Sequence, residues 1–157
     1  MSEVLAGYKW ITGTAIADTT LSASIGTRAY ADGAPDVDPD DPNGDPPAYP
    51  LLTAAFIAGT DCRGVGGKRL LSKPLFLVRV IGEGGYGDIA ALVMRLDALL
   101  DVQPDEDNPV STVTIEGQEY EILGCVREHP AADSDIENGV RYSWGGGYYR
   151  PYIRAVS

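Results

Sequence analysis

One histidine, His129, and two cysteines, Cys62 and Cys125, leave this chain little for metal or thiol chemistry. A zinc site needs more such ligands, and neither cysteine stands in a CxxC pair. Two cysteines are also too few for a disulfide framework, so both read as reduced, semi-buried small hydrophobes. His129 precedes Pro130 in an Ala/Asp/Ser stretch and reads as a surface loop residue. No serine or cysteine motif accompanies it to form a nucleophile–base pair. Cations are scarce as well: 12 Lys and Arg stand against 23 Asp and Glu, a net charge of -11. That balance argues against tight nucleic-acid binding, which needs cations to displace condensed counterions. It does not exclude DNA passing nearby, because an acidic wall keeps DNA from sticking. Apolar runs are short. The longest, Leu75–Ile81, is interrupted by Arg79 and followed by Glu83, so no bilayer span is expected. The first residues lack a signal peptide's basic start and apolar core, and a protein made and used in a cytoplasm is expected. Two phenylalanines contrast with nine tyrosines and two tryptophans. Such amphipathic aromatics are favoured at interfaces.

The length of 157 residues is that of one domain, residues 1–157, with a core of useful size. Val4, Leu5, Tyr8, Ile11, Ala15 and Ile16 have helical spacing. A second short helix is expected from Thr19 or Thr20 to Gly26, which suits the left-handed position after a helix. Residues 31–50 hold prolines and aspartates that suppress helix and strand and offer almost nothing to bury. They are expected to be a solvated, mobile loop. Leu51–Ala58 and Arg69–Ile81 read as strands around a glycine-rich turn from Thr60 to Lys68. In the second strand Phe76, Val78 and Val80 share one face. Leu75, Leu77, Arg79 and Ile81 share the other, so this strand is expected to be central. Asp88 is the expected N-cap of a helix whose apolar stripe is Ile89, Leu92, Val93, Leu96, Leu99 and Leu100. After an acidic linker, Asp101–Pro109, a hairpin turns at Glu116-Gly117-Gln118, and Asn138-Gly139 marks another turn. The last strand, Val140–Val156, is expected to break at Gly145-Gly146-Gly147. Pro151 points to an edge or a bulge. The pattern predicts an α+β fold: a mostly antiparallel sheet, one long amphipathic helix packed on it, an N-terminal helix and a long acidic loop.

Four motifs invite chemistry. Gly82-Glu83-Gly84-Gly85-Tyr86-Gly87 has the spacing of a dinucleotide fingerprint and lies between a strand and a helix. The alternating strands and helices of such a fold do not follow, and Glu83 and Asp88 would set negative charge beside a pyrophosphate. A strand-to-helix connection is the better reading. Gly64 to Arg69 fails as a phosphate loop, because Cys62 occupies the first glycine position and Arg69 replaces Ser/Thr. Arg63, Lys68 and Arg69 instead read as a hairpin tip free to contact a partner. Asp36, Asp38, Asp40, Asp41 and Asp45 alternate like calcium ligands, but Asp41 stands where the loop glycine belongs and no closing glutamate follows. A solvated acidic loop is expected. Trp144, Tyr148 and Tyr149 flank three glycines. They read either as a bulged strand with core aromatics or as an aromatic contact surface on a backbone that a neighbouring chain can approach closely. No catalytic set, cofactor or metal is expected.

The order of elements and the cues Gly26-Thr27-Arg28-Ala29-Tyr30, Ala34-Pro35 and Tyr49-Pro50, with the strand–helix unit, resemble the tail terminator (tail completion) family of long-tailed phages. The acidic stretch 36–48 and the glycine-aromatic segment depart from that pattern. The resemblance implies a structural virion protein of the tail and neck, assembled in the host cytoplasm. It implies a homo-oligomeric ring, usually a hexamer, that caps the tail tube and meets a head–neck connector or stopper, without catalysis. DNA would pass through the ring without specific binding. The expected interface residues are Asp36, Asp38, Asp40, Asp41, Asp45, Arg63, Lys68, Arg69, Trp144, Tyr148 and Tyr149. Two rivals remain. Another neck component would share the class, and a small nucleotide-binding enzyme would be a monomer or dimer.

Overall fold

The computed structural model describes residues 2–67 and 69–157. Two helices open the chain, α1 (Ser2–Ala17) and α2 (Thr19–Ile25). Asp18 joins them, its carboxylate accepting the Leu21 N–H at 2.9 Å, and Gly26 closes α2 with φ 59°. Then come β1 (Ala29–Ala31), the 32–50 loop, β2 (Leu51–Arg63), β3 (Arg69–Glu83), α3 (Tyr86–Leu100), β4 (Ser111–Ile115), β5 (Gln118–Glu137) and β6 (Val140–Ala155). The strands form one curled, six-stranded sheet in the order β1-β2-β3-β6-β5-β4. β1 runs parallel to β2, and every other pairing is antiparallel.

The expected fold class therefore needs correction. The sheet is mixed, and strand (47%) outweighs helix (25%), so this is a sheet with three short helices rather than a sheet under one long helix. The amphipathic α3 has 15 residues and α1 has 16, so neither dominates. Physical causes are local. α3 can start no earlier than the extended Gly85 and ends where Asp101 leaves helical geometry. β1 is only three residues long, too short to leave a periodic signal.

All three helices lie on one face of the sheet. Phe76, Val78 and Val80 of β3 meet Ala6, Ile11, Leu21, Ile89, Val93 and Leu96 in the core. The contacts are close enough to demand glycine. A Cβ on Gly7 of α1 would sit 2.6 Å from the Phe76 ring, and one on Gly145 of β6 would sit 2.6 Å from Tyr86 and 2.9 Å from Val93 of α3. The Gly145–Gly147 run thus does not break β6, which is continuous and central. It lets α3 lie close.

Pro151 also lies in this central strand rather than at an edge. The Gly84 N–H donates to Arg141 O, so the even residues of β3 turn their amides toward β6. Ser72 pairs with Ile153 and Phe76 with Tyr149, which sets Pro74 opposite Pro151. Both missing donors fall in a single gap of the ladder, and neither withdraws a bond from β2 or β5. Beside the gap Arg150 donates to Lys73 O at 2.8 Å.

The far half of β5 was expected as loop but is strand, because one partner, β6, pairs it while β4 stops short. It is a free edge with its own protection. Amides of the even residues face outward there. Pro130 has no N–H, and the Ser134 and Ile136 N–H groups donate to the carboxylates of Asp133 (2.8 Å) and Asp135 (2.7 Å). Such an edge resists strand addition.

Candidate functional site

The second face of the sheet has no helix against it. Along β3 from residue 71 the burial alternates, with even residues buried and Leu71, Lys73, Leu75, Leu77, Arg79 and Ile81 half-exposed. Register places Tyr148 beside Leu77 and Trp144 beside Ile81, both half-exposed, and Tyr152 follows on the same face of β6. Aliphatic side chains on β3 thus face an aromatic row on β6. Two cations are threaded through it. Lys73 Nζ lies 4.7 Å from the centre of the Tyr152 ring, and Arg79 Cζ lies 5.3 Å from that of Trp144. Neither forms an ion pair among the described residues, unlike Arg69, Arg95, Arg127, Arg150 and Arg154. Arg79 Nε is buried without an acceptor, and so is the hydroxyl of Thr53, its cross-strand neighbour. His129 lies on β5 with its ring 6.5 Å from that of Tyr148.

The sequence-derived candidates do not gather at one place. Trp144 and Tyr148 lie on this bare face. Tyr149 points the other way, into the core, where its hydroxyl bonds Asp97 at 3.0 Å and burial pushes its pKa far up. Arg63 donates to Gly67 O at the tip of the β2–β3 hairpin, and Arg69 pairs with Glu3 and Asp61. Lys68 lies outside the described residues. Asp36, Asp38, Asp40, Asp41 and Asp45 sit together in the 32–50 loop, which has internal order. Asp38 accepts the Asp40 N–H at 3.0 Å, and Asp41 accepts those of Asn43 (2.8 Å) and Asp45 (3.0 Å). Lys73, Arg79 and Tyr152 were not singled out from the sequence. The available signal was the apolar content of both faces of β3, against too few helices to cover two.

The glycine fingerprint occupies the β3–α3 turn. Asp88 reaches back to accept the Gly85 N–H at 2.9 Å, so the chain's own carboxylate stands where a phosphate would bind a helix N-terminus. Gly85, not Asp88, is the N-cap. An open cleft of ≈ 510 Å³ beside it is walled by Pro46, Pro47, Tyr49, Tyr142 and the carboxylate-bearing Glu83 and Asp88. Cys125 is buried, which pushes its thiol up and leaves it unreactive, whereas Cys62, expected semi-buried, is exposed on β2.

No family model matches the chain. No curated protein matches it either. One similar solved structure, whose name carries no function, is 16% identical, with 98% of this chain and 94% of that chain covered, at a TM-score of 0.46. That likeness is too distant to carry an argument, and the site rests on its own geometry.

Proposed function

We propose that this chain is a tail terminator of a long-tailed phage or phage-derived particle, a structural protein of the neck that forms a ring on the end of the tail tube. The observation that carries this reading is the bare sheet face. A sheet with helices on one side commonly leaves polar residues on the other. Here that other side holds Leu75, Leu77 and Ile81 around Trp144, Tyr148 and Arg79, and Trp, Tyr and Arg are the residue types that dominate binding at protein interfaces. A subunit that works by docking needs a face of this kind. The order of elements supports the same reading. So does the net charge of -11, which suits a channel that must let DNA slide.

The mechanism is geometric. One rim of the ring matches the last layer of the tail tube, ends its growth and presents a new surface to the neck. Purified protein should size as a ring, six copies by the family's habit, in light scattering. Added to polymerising tail tube protein, it should bind tube ends and halt their growth, as seen by negative-stain microscopy. Rings that leave growth unchanged and bind no tube ends would overturn this reading in favour of another neck component.

A further inference from the structure

The 32–50 loop and the bare face are chemically complementary. The loop exposes Val37, Pro39, Pro42 and Pro46, with Asp36, Asp40 and Asp45 among them. Its six aspartates form no ion pair among the described residues. The face offers Trp144, Tyr148 and Tyr152 as flat rings and Lys73 and Arg79 as cations that pair with no carboxylate among the described residues. Proline rings pack flat on aromatic rings, and Pro39 and Pro42 are presented by turns that the loop's own backbone closes, Asp41 N–H to Asp38 O at 3.1 Å and Asp38 N–H to Asp45 O at 2.8 Å. Carboxylates meeting unpaired cations add register and speed the encounter. The loop's own hydrogen bonds hold it in shape before any contact, which lowers the ordering cost of docking.

The loop meets its own sheet at its base, where the Tyr49 ring lies 5.2 Å from that of Tyr142 and Pro46 and Pro47 share a cleft with Leu51. Its tip turns toward Thr27, beside the β1 edge, where Asp40 Oδ2 accepts the hydroxyl at 3.4 Å. β1 lies two strands away from β3. Sheet addition is a poor alternative on the opposite side, since the free β5 edge is blocked at Pro130, Ser134 and Ile136.

We infer that the proline- and aspartate-rich loop of one copy docks on the bare sheet face of the next, prolines against Trp144, Tyr148 and Tyr152 and aspartates against Lys73 and Arg79. Two different patches meet, so the contact is head-to-tail and repeats from copy to copy until a ring closes. Only ring closure rests on the terminator reading; the contact is independent of it.

The test uses the whole chain with two charge reversals, Asp36→Lys/Asp40→Lys in the loop and Lys73→Glu/Arg79→Glu on the face. Each is checked for cooperative melting and sized by light scattering. Each alone should weaken assembly about tenfold or more and leave monomers at micromolar concentration. Mixed in equal amounts, they should regain large assemblies in which the two variants alternate. The face variant's intact loop fills the loop variant's intact face, and the Lys-bearing loop meets the Glu-bearing face, again as opposite charges. Should Lys73→Glu/Arg79→Glu unfold the chain, Lys73→Glu/Tyr148→Ala replaces it as the face variant. Wild-type mass in both variants, or a monomeric wild type, would overturn the inference. Assemblies that need both patches yet ignore tail tubes would leave the contact standing and remove the terminator reading. Tube capping by variants that still form rings would do the reverse.

Discussion

Gly146 is the least replaceable residue of the sheet. Its φ is 156°, and a Cβ there would overlap the carbonyl oxygen of Val78, a backbone atom that cannot rotate aside. Gly146→Ala should cost more than the ~1–3 kcal/mol typical of an overfilled core, and soluble yield should collapse. Gly13, exposed in α1 with nothing within 4 Å of its missing Cβ, is the contrast. Gly13→Ala should raise stability by about 0.5–1 kcal/mol in a urea melt, as expected for a glycine in a helix interior. Asp18 makes a prediction of a different kind. The Arg95 guanidinium, together with the Leu21 N–H, holds its carboxyl down from the usual 3.8 to about 2. A depressed carboxylate stabilises the fold while charged. That contribution is complete above pH 3.8 and disappears as pH falls through about 2. Asp18→Asn keeps the helix cap and removes only the charge. Its melting temperature should lie below wild type at neutral pH, and the two curves should converge across that acid window. A gap that persists at the lowest pH would assign the effect to capping geometry.

Among the elements, α3 was the most legible, because Ile89, Val93, Leu96 and Leu100 recur at helical spacing and all four are buried. Leu96 is fully buried and Met94, two residues away, is 73% exposed. Leu96→Asp should therefore abolish cooperative unfolding, since a buried unpaired carboxylate costs several kcal/mol of a stability of about 5–15 kcal/mol. Met94→Asp should melt close to wild type. Asp88 was expected as the N-cap of this helix, but Gly85 holds that position and Asp88, three residues inside, reaches back to accept its N–H. The far half of β5 was illegible. Alternation records burial, and residues 128–137 cover no core, so His129 to Asp135 carry the polar composition of a loop while keeping strand geometry. Pro151 misled for a related reason. One sequence segment cannot reveal that a proline 77 positions earlier stands opposite and absorbs the loss. At the candidate site Trp144 and Tyr148 were readable as aromatics beside glycines, but Lys73 and Arg79 were not. What singles them out is the lack of a carboxylate partner among the described residues, a property of the folded register alone.

At the scale of the whole molecule, the two ways a sheet protein can join a neighbour are treated differently. The free stretch of β5 is closed to strand addition by Pro130, Asp133 and Asp135, while the face of β3 and β6 is left open. Association is thereby steered from backbone pairing, which tolerates almost any sequence, to side chains, which do not. The paired prolines divide the molecule in another sense, that of time. Between Ser72–Ile153 and Phe76–Tyr149 the β3–β6 ladder lapses. Beyond that lapse the β2–β3 hairpin, residues 58–67 and 69–71, is mostly exposed and holds few core contacts. The gap is a place where cooperativity ends, so the hairpin's outer part can open while the helix-covered body stays closed. Amide exchange should resolve two populations. Residues 58–63 and 69–73 should exchange within minutes through local opening, and residues 76–82 only as fast as the whole chain unfolds. Pro74→Ala together with Pro151→Ala refills the gap with two donors and should slow the outer population toward the inner one, so that the sheet opens as one body.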